Sequence, residues 1–234
     1  VTNRTGYPTP DLASQVFELL VDPDRPGPDR LHLGPVPFVP EVRLHLAQDP
    51  VVLWARLEAE VGAGRQVPPF WASAWPGGLA LARYLLDHPE LAAGRRVLDL
   101  ASGSGLVAIA AALAGARAVT ANDIDLCALA SIARNARANH VMVAVRGGDL
   151  LDGDGGDADL VLAGDVFYSL AMAERMALFL DRVTARGGLV LVGDPGRAFL
   201  PADRLEVVAS YPGELIGSGE DAQIERVDIL RPRR

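Results

Sequence analysis

The residues most able to do chemistry are a small-residue loop and the acids that follow it. Val97-Leu98-Asp99-Leu100-Ala101-Ser102-Gly103-Ser104-Gly105-Leu106 reads as a strand that passes through the loop into a helix. Glycines there let the chain turn tightly and let a ligand approach the backbone. The helix start turns unpaired N–H groups toward whatever sits in front of it. Ala101, Ser102, Gly103 and Gly105 are therefore candidate cofactor-binding positions. Asp123, with Ile124 after it, ends the next predicted strand, where a carboxylate can accept two hydrogen bonds from a ribose diol. Asp125 is expected to cap the helix that follows. Asp149, followed by Leu150, comes after a third strand. It can accept from an adenine amino group or stand as a solvated turn residue.

Two ligand classes fit these residues. Gly103-Ser104-Gly105-Leu106-Val107-Ala108 matches the G-x-G-x-x-A dinucleotide fingerprint, and Asp123 falls 20 residues beyond Gly103. A nicotinamide-dependent dehydrogenase is therefore a rival. Asp99 argues against it, because an acid inside the first strand is awkward beside a pyrophosphate. The same acid suits a cationic, phosphate-free ligand whose amino group it can reach directly or through water. Moreover, the chain after Asp123 ends in a predicted hairpin rather than in a second mononucleotide-binding half.

The elements that must hold these residues follow from periodicity. Strands are expected at 97–100, 118–121, 141–145, 160–163 and 189–192, with helices at 106–113, 126–139 and 170–185 between them. Such alternation builds a parallel sheet. Strands at 205–210 and 225–230, with a Gly-rich loop between them, are expected to close its edge as an antiparallel hairpin. The predicted fold is thus α/β: a Rossmann-like, seven-stranded, mostly parallel sheet with helices on both faces. Before it, helices at 10–20 and 50–61 flank the turn-rich Asp22–Pro28 and the strand-like 31–46. Residues 1–67 are read as an N-terminal extension, a lid or a docking surface, with the candidate boundary near 62–68. Residues 68–234 are read as the ligand-binding domain, opening with a Pro/aromatic segment that runs into a helix at 79–86.

Composition narrows the function further. Half of the 234 residues are apolar and 22% are charged, as in a globular protein. A net charge of −8 supplies no whole-chain basic field, so wrapping nucleic acid is not expected. Arginine dominates the 22 basic residues. The single cysteine, Cys127, is expected as a small buried side chain. The four scattered histidines give no metal-ligand pair, so no metal site is expected. There is no membrane-length apolar run and no signal-peptide core in Val1–Pro10, and the cytoplasm is the expected compartment. The oligomeric state is left open.

Further motifs carry a resemblance. They include Pro40-Glu41-Val42, Pro69-Phe70-Trp71, Trp75-Pro76-Gly77-Gly78, Ala121 to Asp125, Gly164-Asp165-Val166-Phe167-Tyr168 and Gly193-Asp194-Pro195-Gly196-Arg197. With the loop at 97–105, they make the chain resemble the seven-strand class I methyltransferases from about Pro40 to Arg197. Within that class it looks like the family of lysine methyltransferases that modify the β-subunit of electron transfer flavoprotein. The resemblance implies S-adenosylmethionine as methyl donor, S-adenosylhomocysteine as product and a protein substrate, with electron transfer flavoprotein β-subunit as the implied partner. It implies that Asp99, Gly103, Asp123 and Trp75 contact the donor, with Gly164 beside them, and that Asp165-x-x-Tyr168 faces the target amine. Two positions depart from the family pattern. Ala101 stands where many methyltransferases have glycine, and alanine is expected to fit only at negative φ. Ser169 stands where an acid is usual.

Taken as residues, Asp165 falls just after the fourth strand, at the sheet edge where doubly wound folds bind ligands. It reads either as a site residue or as a helix N-cap, and Tyr168 either as a site residue or as an aromatic anchor. Trp71 and Trp75 read as core or as a lid, and Asp194-Pro195-Gly196-Arg197 as a turn or as a wall of the substrate entrance. A small-molecule N-methyltransferase acting on a nicotinamide-like amine and a non-catalytic nucleotide-binding module stay open as alternatives. A closed pocket favours a small amine, and an open groove leading to Asp165 and Tyr168 favours a protein.

Overall fold

A computed structural model describes residues 10–21, 27–61, 67–215 and 224–233. The N-terminus before residue 10, most of the turn-rich Asp22–Pro28, the 62–66 part of the candidate boundary and most of the Gly-rich loop (216–223) lie outside the described residues.

The chain opens with α1 (Pro10–Leu20), β1 (Leu31–Val36), β2 (Val39–Ala47) and α2 (Pro50–Val61). β1 and β2 pair antiparallel as a separate two-stranded sheet. They turn at Pro37-Phe38, where Phe38 takes a left-handed φ of 67°. α2 begins where Asp49 Oδ1 accepts from the N–H groups of Val51 and Val52, with Pro50 at the first helical position. α3 runs from Pro76 to Asp87, three residues earlier than its apolar pattern indicates. Proline suits a helix start, and packing compensates for the two glycines behind it.

The main sheet follows the predicted rhythm: β3 (Arg96–Leu100), α4 (Leu106–Leu113), β4 (Ala118–Asp123), α5 (Leu126–Ala138), β5 (Ala144–Gly147), β6 (Leu160–Gly164), α6 (Leu170–Ala185), β7 (Leu189–Asp194), β8 (Leu205–Pro212) and β9 (Arg226–Pro232). Seven strands lie in the order β5-β4-β3-β6-β7-β9-β8. The first five are parallel, and β9 pairs antiparallel with both β7 and β8. The closing hairpin therefore enters with its second strand innermost. Chain order reverses direction at β3, whose neighbours are β4 and β6, and this is the switch point of the sheet.

Alternation puts two apolar faces on one strand. Leu160 and Leu162 of β6 pack with α3 and α4, whereas Val161 and Ala163 pack against Met176, Phe179 and Val183 of α6. A third cluster ties the extension to the domain. Phe17, Leu20, Leu31, Leu53 and Leu57 meet Trp71, Cys127 and Ala128. Asn135 of α5 adds a buried polar bridge: its Oδ1 accepts from His45 N, and its Nδ2 donates to Ser104 O in the loop.

The third strand corrects the sequence reading, since β5 begins at Ala144 rather than Val141. The intervening residues end α5 instead. His140 takes φ 56° and donates from its backbone to Arg137 O, and Val141 N donates back to Ala136 O. That is the Schellman arrangement, usually built on glycine.

α3 meets the sheet backbone to backbone. A Cβ on Gly193 would lie 2.0 Å from Gly77 O, and one on Gly164 would lie 2.9 Å from Gly78 Cα. Gly193→Ala should therefore cost about 3 kcal/mol, lowering the melting temperature by roughly 6–12 °C. Gly34→Ala, with nothing within 4 Å of its Cβ, should melt like wild type. Thermal melts of the two variants check both.

Candidate functional site

A cavity of 340 Å³ opens at the carboxyl ends of β3, β4 and β6. Trp75, Ala101, Gly103, Asp123, Ile124, Asp149, Leu150, Gly164, Asp165 and Tyr168 all line it. Asp99, Ser102 and Gly105 are not among its lining residues. Asp99 is buried beneath the loop, where one carboxylate oxygen accepts from Ser102 Oγ at 2.5 Å and from Ala108 N at 3.1 Å. It thereby ties the loop to the first turn of α4. Gly105 serves packing: its φ is 86°, and a Cβ would sit 3.3 Å from Ile132 Cα.

Ala101 overturns the expectation of a negative φ, since it stands at 50°. The alanine keeps the left-handed shape at a cost of roughly 1–2 kcal/mol. The loop is held by partners on β4: Ser102 N donates to Asn122 O, and Gly103 N donates to Asp123 Oδ2.

Asp123 also accepts from Asp125 N at 2.9 Å, and burial raises its pKa. Asp125 caps α5 through Cys127 N, as expected. Asp149 accepts from Leu151 N and pairs with Arg175 at 2.6 Å, which lowers its pKa. A carboxylate oxygen carries two lone pairs, so both acids keep acceptor sites toward the cavity.

At the other end stands Asp165, buried and at φ 58°. It does not cap α6, whose cap is Ser169, the residue that departs from the family pattern. Instead Asp165 Oδ2 accepts from Gly78 N at 2.9 Å, in the first turn of α3. Trp75, in the cap position of α3, makes no side-chain cap bond, so the carboxylate that follows β6 stands in. The helix dipole favours negative charge there. Asp165 Oδ1 accepts from Arg197 Nη2 at 2.5 Å. Burial nevertheless dominates and raises Asp165 to about 6.

Aromatic rings finish this end. Trp75 packs 5.8 Å from Phe70, centroid to centroid, and donates through Nε1 to Phe70 O. Phe70 lies 6.4 Å from the half-exposed ring of Tyr168. The Arg197 guanidinium sits over Trp75 at 5.8 Å. Trp71 belongs to the core and is nearly fully buried, yet it also lines the cavity, as Trp75 does. Sequence reasoning missed Phe70 as part of this wall, Arg175 as the partner of Asp149, and Arg197 as the partner of Asp165. The Gly-Asp-Pro-Gly-Arg motif was the available signal for Arg197, because it ends β7 beside β6.

Comparisons with known proteins fit this geometry. Residues 80–181 match the family model of ribosomal protein L11 methyltransferase (PrmA). The chain is 48% identical over 132 residues to the electron transfer flavoprotein beta subunit lysine methyltransferase of Danio rerio, covering 56% of this chain and 51% of that protein. It therefore spans about half the length of that relative. It is 32% identical over 176 residues to the Caenorhabditis elegans homolog of that enzyme, covering 68% of this chain and 71% of that one. Among solved structures, a provisionally named RNA methyltransferase from Pyrococcus horikoshii aligns with a TM-score of 0.51 at 20% identity, covering 71% of this chain and 89% of that one. That likeness is one of fold.

Two stability measurements follow. Ala101→Gly removes a side chain from a left-handed position and should stabilise the protein by about 0.5–1 kcal/mol in denaturant titration. Burial raises Asp99 to about 7, far above its unfolded value. The folded state thus holds a proton that the unfolded chain releases. The contribution of this group is complete below about pH 4 and is lost as pH rises through 7. Asp99→Asn should therefore gain on wild type by about 2–4 kcal/mol between pH 4 and pH 8. A constant difference across that range contradicts this account.

Proposed function

The chain belongs to the electron transfer flavoprotein β-subunit lysine methyltransferase family, and from that membership we propose that it transfers a methyl group from S-adenosylmethionine to a lysine side chain of a protein, with electron transfer flavoprotein β-subunit as the first substrate to test. One observation carries the reading. A single continuous cavity has the β3 loop, Asp123 and Asp149 at one end, and Asp165 among aromatic rings at the other.

The lining suits a cation. Asp123, Asp149 and Asp165 face it, and its two arginines, Arg175 and Arg197, are each engaged by a carboxylate. Among the described lining residues, no cation is left for a pyrophosphate. When bound, S-adenosylmethionine supplies an electrophilic methyl group on a sulfonium. In this reading Asp123 takes the ribose diol and Asp149 the adenine amino group, between the apolar walls of Ile124 and Leu150. Ala101 and Gly103 offer backbone. Asp99 and Ser102 hold the loop from below, and Gly105 packs it on α5. Gly164 lets α3 come close, which brings Trp75 to the cavity.

Methyl transfer to an amine is an in-line displacement, and positioning supplies much of its rate. A free lysine has a pKa of about 10.4, so the attacking nitrogen must first lose a proton. Asp165 attracts and orients the ammonium. Tyr168, Phe70 and Trp75 give an electron-rich wall for the cation formed on methylation. The proton passes to solvent, since no histidine lines the cavity. Phe70 and Tyr168 are about half exposed at its mouth, and Ile124 more so, an apolar rim that a protein surface would cover. The described part of residues 1–67 acts as an extension bracing α5, and 68–234 is taken as the donor-binding domain. The cytoplasm is the compartment this reading assigns, in keeping with a single, buried cysteine, Cys127.

Calorimetry with S-adenosylhomocysteine and, separately, NADH tests the first half of this proposal. We expect binding of the former alone, and NADH binding alone would overturn the reading. Labelled donor with recombinant electron transfer flavoprotein β-subunit tests the second half, and turnover of nicotinamide without protein labelling would shift the reading to a small-molecule enzyme. Asp165→Ala should lower turnover about 100-fold or more while S-adenosylhomocysteine affinity stays within about threefold. Equal losses in both would refute the division of roles.

A further inference from the structure

Asp165 and Asp194 leave adjacent strands at matched heights, because Gly164 of β6 pairs with Gly193 of β7. Both carboxylates are buried, Asp194 completely. Arg197 is the cation between them. Its Nη2 donates to Asp165 Oδ1, and its backbone N donates to Asp194 Oδ1 at 2.7 Å. Two buried polar atoms of this turn have no hydrogen-bond partner, Asp194 Oδ2 and Arg197 Nε. One is an acceptor and the other a donor. Orphaned buried groups are rare in folded proteins, and a complementary pair within four residues marks a second arrangement in which they meet. Gly196, at φ 87°, provides a pliant point between them. The charge count agrees: two carboxylates share one guanidinium, which leaves room for one more cation.

We propose that Arg197 is a displaceable counter-ion, which holds the place of the substrate ammonium on Asp165 and moves to Asp194 when an amine enters. The identity of that amine as lysine rests on the methyltransferase reading. The exchange itself needs only an ammonium head small enough to reach Asp165. Arg197 is then a positioning residue that acts through Asp165. In the free protein it neutralises a buried carboxylate whose remaining partner is the uncharged Gly78 N–H, and a buried charge without a counter-charge is costly. With substrate present, a guanidinium still on Asp165 would repel the incoming ammonium, and Asp194 gives it a second seat. Asp228, paired with Arg226 and bonded to Ser210, is the other acid felt by Asp194, and it keeps its own partners throughout.

The test uses n-butylammonium as a lysine-head probe, followed by NMR titration of the full chain with and without S-adenosylhomocysteine. Arg197→Met should bind the probe about tenfold more tightly than wild type, because Asp165 no longer has to give up a partner. Asp194→Asn keeps the acceptor for the Gly196 and Arg197 N–H groups but removes the second seat, and it should bind the probe several-fold more weakly. Arg197→Lys restores a cation and should return affinity toward wild type, a rescue that a merely structural role for the arginine would not give. Arg197→Met binding the probe no more tightly than wild type would overturn the proposal. S-adenosylhomocysteine calorimetry on the same samples keeps the two readings apart. Its failure removes the donor assignment, while the probe comparison without it still decides the role of Arg197.

Discussion

The structure depends on one close approach, that of the start of α3 to the ends of β6 and β7. Gly77 lies against Gly193 and Gly78 against Gly164, with no room for a Cβ on Gly77, Gly164 or Gly193. That contact brings the N–H groups of a helix start to the end of a buried strand, where a carboxylate is stabilised. Asp165 occupies the position. Its charge, its orientation and the placement of Trp75 all follow from four residues without side chains. The Trp-Pro-Gly-Gly run is thus a single device: proline begins the helix, the glycines admit the sheet, and the tryptophan is left facing the cavity.

The two ends of the cavity are built differently. At the β3 end, backbone does the holding, because the loop is tied down by Asp123, Asn122 O and the buried Asp99 beneath it. At the β6 end, side chains dominate, with Asp165, Arg197 and three aromatic rings. Both ends contain a non-glycine residue at positive φ, Ala101 and Asp165. Such positions persist only where surrounding structure holds them, and they gather at working sites. The other two, Phe38 and His140, sit at a hairpin turn and a helix end, where left-handed residues serve geometry alone.

The central parallel strands β3, β6 and β7 were legible because they are largely buried on both faces and so are apolar along most of their length, Asp99 being the exception within β3. Val97–Leu100, Leu160–Ala163 and Leu189–Val192 could hardly read otherwise. The third strand misled for the opposite reason. β5 is an exposed edge whose apolar signal is weak, while Val141 and Val143 are apolar because they pack, half-buried, against the main core cluster. Asp165 and the acids after β4 and β5 were legible from their places at strand ends. The partners were not. Arg197 lies 32 residues from Asp165 and Gly78 lies 87, and only the sheet order brings them together. A strand-end acid can be read locally, but the group that balances it belongs to the topology.

The ion pairs of this protein have a chemical consequence of their own. All 22 of the strongly basic side chains in the 234 residues are arginines and none is lysine, from the Arg96–Asp159 clasp beside β3 to Arg197 at the cavity. Guanidinium groups stay protonated and are poor nucleophiles, so they hold the fold together without offering a reactive amine. An enzyme that alkylates ε-amino groups would thus be built of material it does not consume. Neither its own surface nor that of a neighbouring copy would compete with the substrate. Amine-directed reagents would likewise find no lysine in these 234 residues, so in an assay of the proposed reaction this chain's side chains would add no signal to that of the acceptor.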